Sequence, residues 1–243
     1  MPRGPGILKG MDTAHQRVSG YLRIAGLQTL AGREADVERA VRDLMDALAE
    51  KVNVSDAESL YTYPVPMLSE DGTCSMVNEM APAPYDLTAI LGGRNERTTR
   101  RLALLERLVE RAQETTGADW IGIYQRRPDA KGALVLAKVS YVGLPSRAEF
   151  PLTREFAERS TNATVGLTGH ATVIDDVGKH VEAGGGFYVC DTGVQSEACV
   201  PILDDARQVV GIVDAEAKPL AFFTGERLAV IAALALVSAA ILP

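Results

Sequence analysis

Two pairs of apolar segments, each turning back over a short polar link, constrain this chain more than any other feature. The first pair is Trp120–Tyr124 and Ala133–Val139, joined through Asp129-Ala-Lys-Gly132. The second is Ala198–Leu203 and Val209–Asp214, joined through Asp204-Asp205-Ala206. Segments of this length and spacing predict strands folded back on one another. A helix precedes the first pair, because Leu102, Leu105, Leu108, Val109 and Ala112 share one face and Gly117 stands where a C-terminal glycine ends a helix. Another follows the second pair, with Thr224 as its cap and Glu226 in its first turn. Helix, strands, a mixed segment, strands and helix predict an α+β domain, a central antiparallel sheet with the terminal helices packed on one face.

The last helix runs into Leu228–Leu242, an apolar stretch of 15 residues broken only by Ser238. A bilayer needs roughly 20. The stretch therefore reads as a helix buried around most of its circumference, against the domain or a partner subunit. Met1-Pro-Arg-Gly-Pro-Gly lacks the apolar core of a secretory signal, so a cytoplasmic location is expected, with no membrane contact. The preceding ten residues have no periodicity, which makes Met11 an alternative start. With 25 Lys plus Arg against 32 Asp plus Glu, the net charge is −7, which argues against a nucleic-acid partner. An odd count of three cysteines argues against a disulfide-stapled scaffold. Three cysteines and three histidines without paired ligand spacing give no metal site, and no cofactor motif is present.

Residues 1–96 read as an N-terminal extension and 97–243 as the domain. In the extension, Val37, Val41, Leu44 and Leu48 mark an amphipathic helix over about 34–52. Leu60–Gly93, with four prolines and three methionines, reads as an irregular arm. Its apolar content is too high for a free linker, so the arm is expected to lie ordered against a neighbouring surface.

Chemistry concentrates in the C-terminal third. Cys190 follows Gly184-Gly-Gly186 and precedes Asp191-Thr-Gly, which places it in a loop. Cys199 alternates with Val200 in a strand, where a buried thiol is ordinary packing. Cys74 lies in the arm. Glu197 stands just before one strand, and Asp214 and Glu216 close the next. Residues two apart on a strand share a face, so Asp214 and Glu216 enter one pocket together. Such carboxylates can bind a cation such as an ammonium group, or donate a proton. They do not activate a thiol, because nearby negative charge raises its pKa.

The stretch Gly186-Phe-Tyr-Val-Cys-Asp-Thr-Gly-Val-Gln-Ser-Glu197, then Val-Pro-Ile and Gly211-Ile-Val-Asp-Ala-Glu216, resembles the GAF-domain free methionine-(R)-sulfoxide reductases. The strand Asp119-Trp-Ile-Gly-Ile-Tyr124 is similar to their Asn-Trp-x-Gly-Phe-Tyr. The resemblance implies a GAF-like fold from about Leu102 to Leu242. It implies Cys190 as the catalytic thiol with Glu197 beside it, Asp214 and Glu216 as polar pocket residues, and Trp120 with Tyr124 as the wall around a substrate methyl. The implied reaction is attack of the Cys190 thiolate on a sulfoxide sulfur, leaving a sulfenic acid that a second thiol resolves. The family's resolving cysteine lies in Gly-Val-Cys-Gly-Thr-Ala, where this chain has Thr168, and a further family cysteine after Phe150 is also missing. Cys74, Cys199, thioredoxin or a small thiol are the candidate resolvers. A homodimer is implied as well, with the terminal helices at its interface. Two alternatives stand beside the reductase. One is a GAF sensor that binds a small molecule without turning it over. The other is a GAF-derived enzyme using Cys190 as nucleophile in a different reaction, with His170 and His180 as candidate bases.

Overall fold

The computed structural model describes residues 5–49, 57–69 and 79–243, with side chains from residue 15 onward. The extension opens with helix α1 (Pro5–Ile24) and helix α2 (Glu34–Ala49). A short helix α3 (Ala57–Tyr61) leads into strand β1 (Thr62–Tyr63), which pairs antiparallel with β2 (Tyr85–Asp86). The domain begins with α4 (Glu96–Thr116), followed by β3 (Trp120–Pro128), β4 (Leu134–Val142) and β5 (Glu149–Pro151). The middle segment holds α5 (Arg154–Ala157), α6 (Thr161–Thr168), β6 (Thr172–Ile174) and α7 (Val177–Glu182). Strands β7 (Ser196–Leu203) and β8 (Val209–Ala217) and helix α8 (Gly225–Ser238) complete the chain.

Strands β3 to β8 form one sheet in the order β5-β4-β3-β8-β7-β6, with every neighbouring pair antiparallel. The two expected hairpins, β3–β4 and β7–β8, meet through β3 and β8 at its centre. Alternation along each strand divides the side chains between two faces. Ile121, Ile123, Val139, Ala198, Val200, Ile202, Val213 and Ala215 point to the helices and join the larger core. The other face belongs to the candidate site.

Helix α8 lies on the helix face with ten of its fourteen residues buried. Its flank is covered within the chain, by α4 and by α2 of the extension. Val37, Ala40 and Leu44 of α2 therefore share one hydrophobic core with Leu105, Leu108, Ile231 and Leu234. Helix α1 adds Val18, Tyr21 and Leu22, and the Tyr21 hydroxyl donates to the Pro201 carbonyl at 2.9 Å.

Several expectations need adjustment. Helix α1 begins inside the Pro/Gly-rich start that had no periodicity. The amphipathic helix is described to Ala49; residues 50–52 lie outside the described residues. The described parts of the arm are less irregular than expected, since α3 and the β1–β2 pair organise them. Glu197 lies inside β7 rather than before it. Gly117 ends α4 in the left-handed conformation, at φ +70°, as expected of a C-terminal glycine. Thr224 stands at the N-cap of α8, but its side chain makes no capping hydrogen bond.

Candidate functional site

The second face of the sheet gathers the chemistry by register alone. Trp120 pairs with Glu216, which pairs with Glu197 on the other side, so the three stand in one row across β3, β8 and β7. The next row is Gly122, Asp214 and Cys199. Tyr124 and Ile212 continue it. Asp214 and Glu216 thus share a face, as their spacing demands, while Val213 and Ala215 turn to the helix side.

Glycine at 122 is required by this geometry. A Cβ there would stand 2.2 Å from the Trp120 ring, so only a residue without one lets the indole lie across the strand. Trp120 and Tyr124 have their ring centres 6.2 Å apart. The wall continues through Phe150, 5.3 Å from Tyr124, and Tyr188, which meets Phe150 edge-on at 5.3 Å. Phe156 packs beside Tyr188 at 5.7 Å. Trp120 and Tyr124 were expected at the site from their strand; Phe150, Tyr188 and Phe156 join them from outside it.

Helix α6 closes the site from above. Ser160 is its N-cap and accepts from the Ala163 N–H, which aims the first turn at the sheet. There the Thr161 hydroxyl donates to Glu197 Oε1 at 2.5 Å, and Asn162 Nδ2 donates to Asp214 Oδ2 at 2.7 Å. Both donors are buried, and both were invisible to the sequence reading. The opposite oxygens, Glu197 Oε2 and Asp214 Oδ1, are buried with no partner from the rest of the chain, and there the two carboxyls meet each other and can share a proton. A native fold rarely leaves such atoms unsatisfied, and a proton held between the two carboxyls satisfies both.

Burial sets the protonation of these acids. It pushes the Glu197 carboxyl well above the usual range, and the charge of Asp214 pushes further, while the Thr161 hydrogen bond opposes. Asp214 is raised to about 6, by burial first, with the Asn162 hydrogen bond holding it down. Glu216, half-buried at the end of β8, is raised by burial and by Asp214, against the pull of Lys138. Of the two, burial and the neighbouring charge make Glu197 the readier to hold a proton and Asp214 the readier to ionise.

Cys190 lies in the loop before β7, half-buried, and packs against the aromatic cluster of Trp120, Tyr124, Phe150, Phe156 and Tyr188. It is disulfide-bonded. Cys199 is a free, fully buried thiol on the same sheet face as Asp214, with its pKa pushed up by burial and by Asp214, Glu197 and Glu216 in turn. Cys74 lies outside the described residues. Thr168 stands at the end of α6, its hydroxyl bound to the Thr164 carbonyl at 2.8 Å. His170 is exposed, and a ring nitrogen of His180 faces the Gly186 carbonyl at 3.3 Å. Among the described residues no group of three or more His, Cys, Asp or Glu side chains could hold a metal ion. No described helix is long and apolar enough to cross a membrane.

Solved structures match this fold at low sequence identity. The type II free methionine-R-sulfoxide reductase of Thermoplasma acidophilum superposes with a TM-score of 0.52 at 18% identity, over 60% of this chain and 95% of that one. The free methionine-R-sulfoxide reductase of Neisseria meningitidis, solved with its substrate, matches at 0.47 and 19%, over 64% and 85%. That of Staphylococcus aureus, also with substrate, matches at 0.45 and 20%, over 58% and 83%. No curated protein matches the chain. The family model of the GAF domain matches residues 100–242, more than half of the chain and all of the six-stranded sheet. With its antiparallel sheet, its terminal helices on one face and its site on the other, the chain belongs to the GAF domain family.

Proposed function

We propose that this protein is a thiol-dependent reductase of free methionine-(R)-sulfoxide, or of a closely related small amino-acid-like substrate. The observation that supports the reading is the pair of buried, hydrogen-bonded carboxyls Glu197 and Asp214, on the same sheet face as an aromatic cluster that also packs Cys190. An ammonium group answers the charged acid, and the rings of Trp120 and Tyr124 suit a methyl group. Protonated Glu197 answers a polar S–O bond.

In the reaction, the Cys190 thiolate attacks the sulfoxide sulfur while Glu197 delivers its proton to the oxygen. Oxygen is transferred to the cysteine sulfur, the S–O bond of the substrate breaks, and methionine leaves. The substrate sulfur gains two electrons and Cys190 loses two, becoming a sulfenic acid. A second thiol then attacks that sulfur and releases water as a disulfide forms. We assign this step to Cys74. Cys199, the other candidate within the chain, is fixed inside β7 and fully buried. Cys199 is also ill suited, since burial beside three acids keeps its thiol protonated. Thioredoxin or a small thiol would return the pair to the reduced state.

The test is turnover by the reduced full chain with free (R)- and (S)-methionine sulfoxide and a thioredoxin system. Consumption of the R form alone is expected, with loss in Cys190→Ser. Cys74→Ser should allow a single turnover and then stall with Cys190 as sulfenic acid. Tight binding of the sulfoxide without turnover would replace this reading by the sensor.

A further inference from the structure

Lys138 is wholly buried on β4, and the chemistry above does not use it. Its register partner is Tyr124, so it emerges on the face of the sheet that holds the candidate site. Two of its three N–H groups have fixed acceptors, the Ser146 carbonyl and the Ser146 hydroxyl, each at 2.8 Å. Rings wall the remaining side: Tyr141 at 4.0 Å from the nitrogen, Tyr63 at 5.0 Å and Trp120 at 5.8 Å. A nitrogen so enclosed has no direction left in which to grip a substrate. Its work must be done on the groups it holds.

Those groups converge on one turn, residues 143–148. Lys138 holds Ser146, and its own N–H donates to the Ala148 carbonyl at 2.8 Å. The Trp120 indole N–H donates to the Leu144 carbonyl at 3.0 Å, and the Tyr124 hydroxyl donates to the Arg147 carbonyl at 3.3 Å. Arg147 donates to the Tyr188 hydroxyl at 2.9 Å, two residues before Cys190. Both wall residues and the loop of the candidate nucleophile are therefore fastened to the turn that Lys138 pegs. Gly143, at φ +114°, lets that turn pass close over Trp120, where a Cβ would meet the Asp119 carbonyl and the indole at 2.7 Å.

The fourth side of the enclosure comes from outside the family's boundaries. Tyr63 belongs to β1 of the extension, and its hydroxyl donates to the Lys138 carbonyl at 2.7 Å. Tyr85, from β2, packs with its ring tilted against Tyr63 at 5.5 Å and donates to Glu149 beside the same turn. Burial lowers the pKa of Lys138, with Glu216 opposing, and either protonation state retains the two N–H donors to Ser146.

We propose that Lys138 is a positioning residue which, caged by Tyr63 of the N-terminal extension, pegs the 143–148 turn and so sets the aromatic wall of the pocket. The extension is then a working part of the site. The proposal rests on the reductase reading only where turnover is measured.

Trp120 is the sole tryptophan, so its emission reports the wall directly. In the reduced full chain, Lys138→Met and Tyr63→Leu should each increase acrylamide quenching of Trp120 about threefold and shift its emission to the red. Both should raise KM for the sulfoxide about tenfold and change kcat by less than about twofold, as loss of orientation in binding does. Tyr63→Phe keeps the ring and loses the hydroxyl, and should restore most of what Tyr63→Leu loses. Wild-type quenching and KM in a folded Lys138→Met protein would overturn the proposal. Should that variant fail to fold, unchanged quenching in Tyr63→Leu would overturn it equally. Should the wild type turn over no sulfoxide, the quenching pair still decides the matter, separately from the reductase reading.

Discussion

Replacing Asp214 by asparagine should stabilise this protein at neutral and alkaline pH, although Asp214 stands at the centre of the candidate site. The carboxyl is buried, and its pKa rises from 3.8 to about 6 on folding. For an acid shifted upward the sign is fixed. Below pH 4 the group is protonated in both folded and unfolded chains and adds nothing. As pH climbs from 4 to 6 the unfolded chain ionises first, and stability falls. Above pH 6 the full cost is present. A gap of about two pH units is worth about 3 kcal/mol, at about 1.4 kcal/mol for each tenfold change. Asparagine keeps the shape and can still accept from Asn162 Nδ2, now at 2.7 Å from Asp214. It also removes the charge that raises Glu197 and Glu216. Urea unfolding under reducing conditions, at pH 4, 6 and 8, should therefore show Asp214→Asn more stable than wild type by about 3 kcal/mol at pH 8. The two should converge at pH 4. A gap that is absent at pH 8, or that is the same at pH 4, would refute the reasoning. Turnover should meanwhile fall, since the variant no longer offers a charge to an ammonium group.

Three further substitutions probe the sheet and its two faces. Gly122→Ala drives a Cβ into the Trp120 ring at 2.2 Å, so it should displace the indole, alter Trp120 fluorescence and cost about 1–3 kcal/mol in urea unfolding. Leu234→Ala empties a fully buried position of α8 and should cost about 2–5 kcal/mol, read as a lower urea midpoint. Tyr21→Phe leaves the Pro201 carbonyl without its donor and should cost about 1–2 kcal/mol in the same assay while Trp120 emission stays at its wild-type wavelength.

The parts of the site that were readable beforehand are those carried on regular strands. Trp120, Tyr124, Glu197, Asp214 and Glu216 lie on β3, β7 and β8, where a two-residue period converts spacing into a shared face. The loop position of Cys190 was readable because glycines and Asp191 flank it. Thr161, Asn162 and Ser146 escaped because they reach the site from the segment between the hairpins, where short elements follow no single period. Lys138 escaped for another reason. A lysine in a strand ordinarily reads as an exposed position, and nothing local announces the three rings that enclose it. Helix α1 was hidden by its Pro/Gly-rich start. The described parts of the N-terminal arm pack as its apolar content suggested, but the β1–β2 pairing within them depends on partners more than twenty residues apart.

The seating of α2 on α8 means that the unit of kinship and the unit of folding do not coincide here. The family boundary falls at residue 100, within α4. A fragment cut there would expose the flank of α8 that Val37, Ala40 and Leu44 now cover, and would release Tyr63 from Lys138. For anyone moving this module into a chimera, or trimming it for expression, the extension is cargo that must travel with the domain.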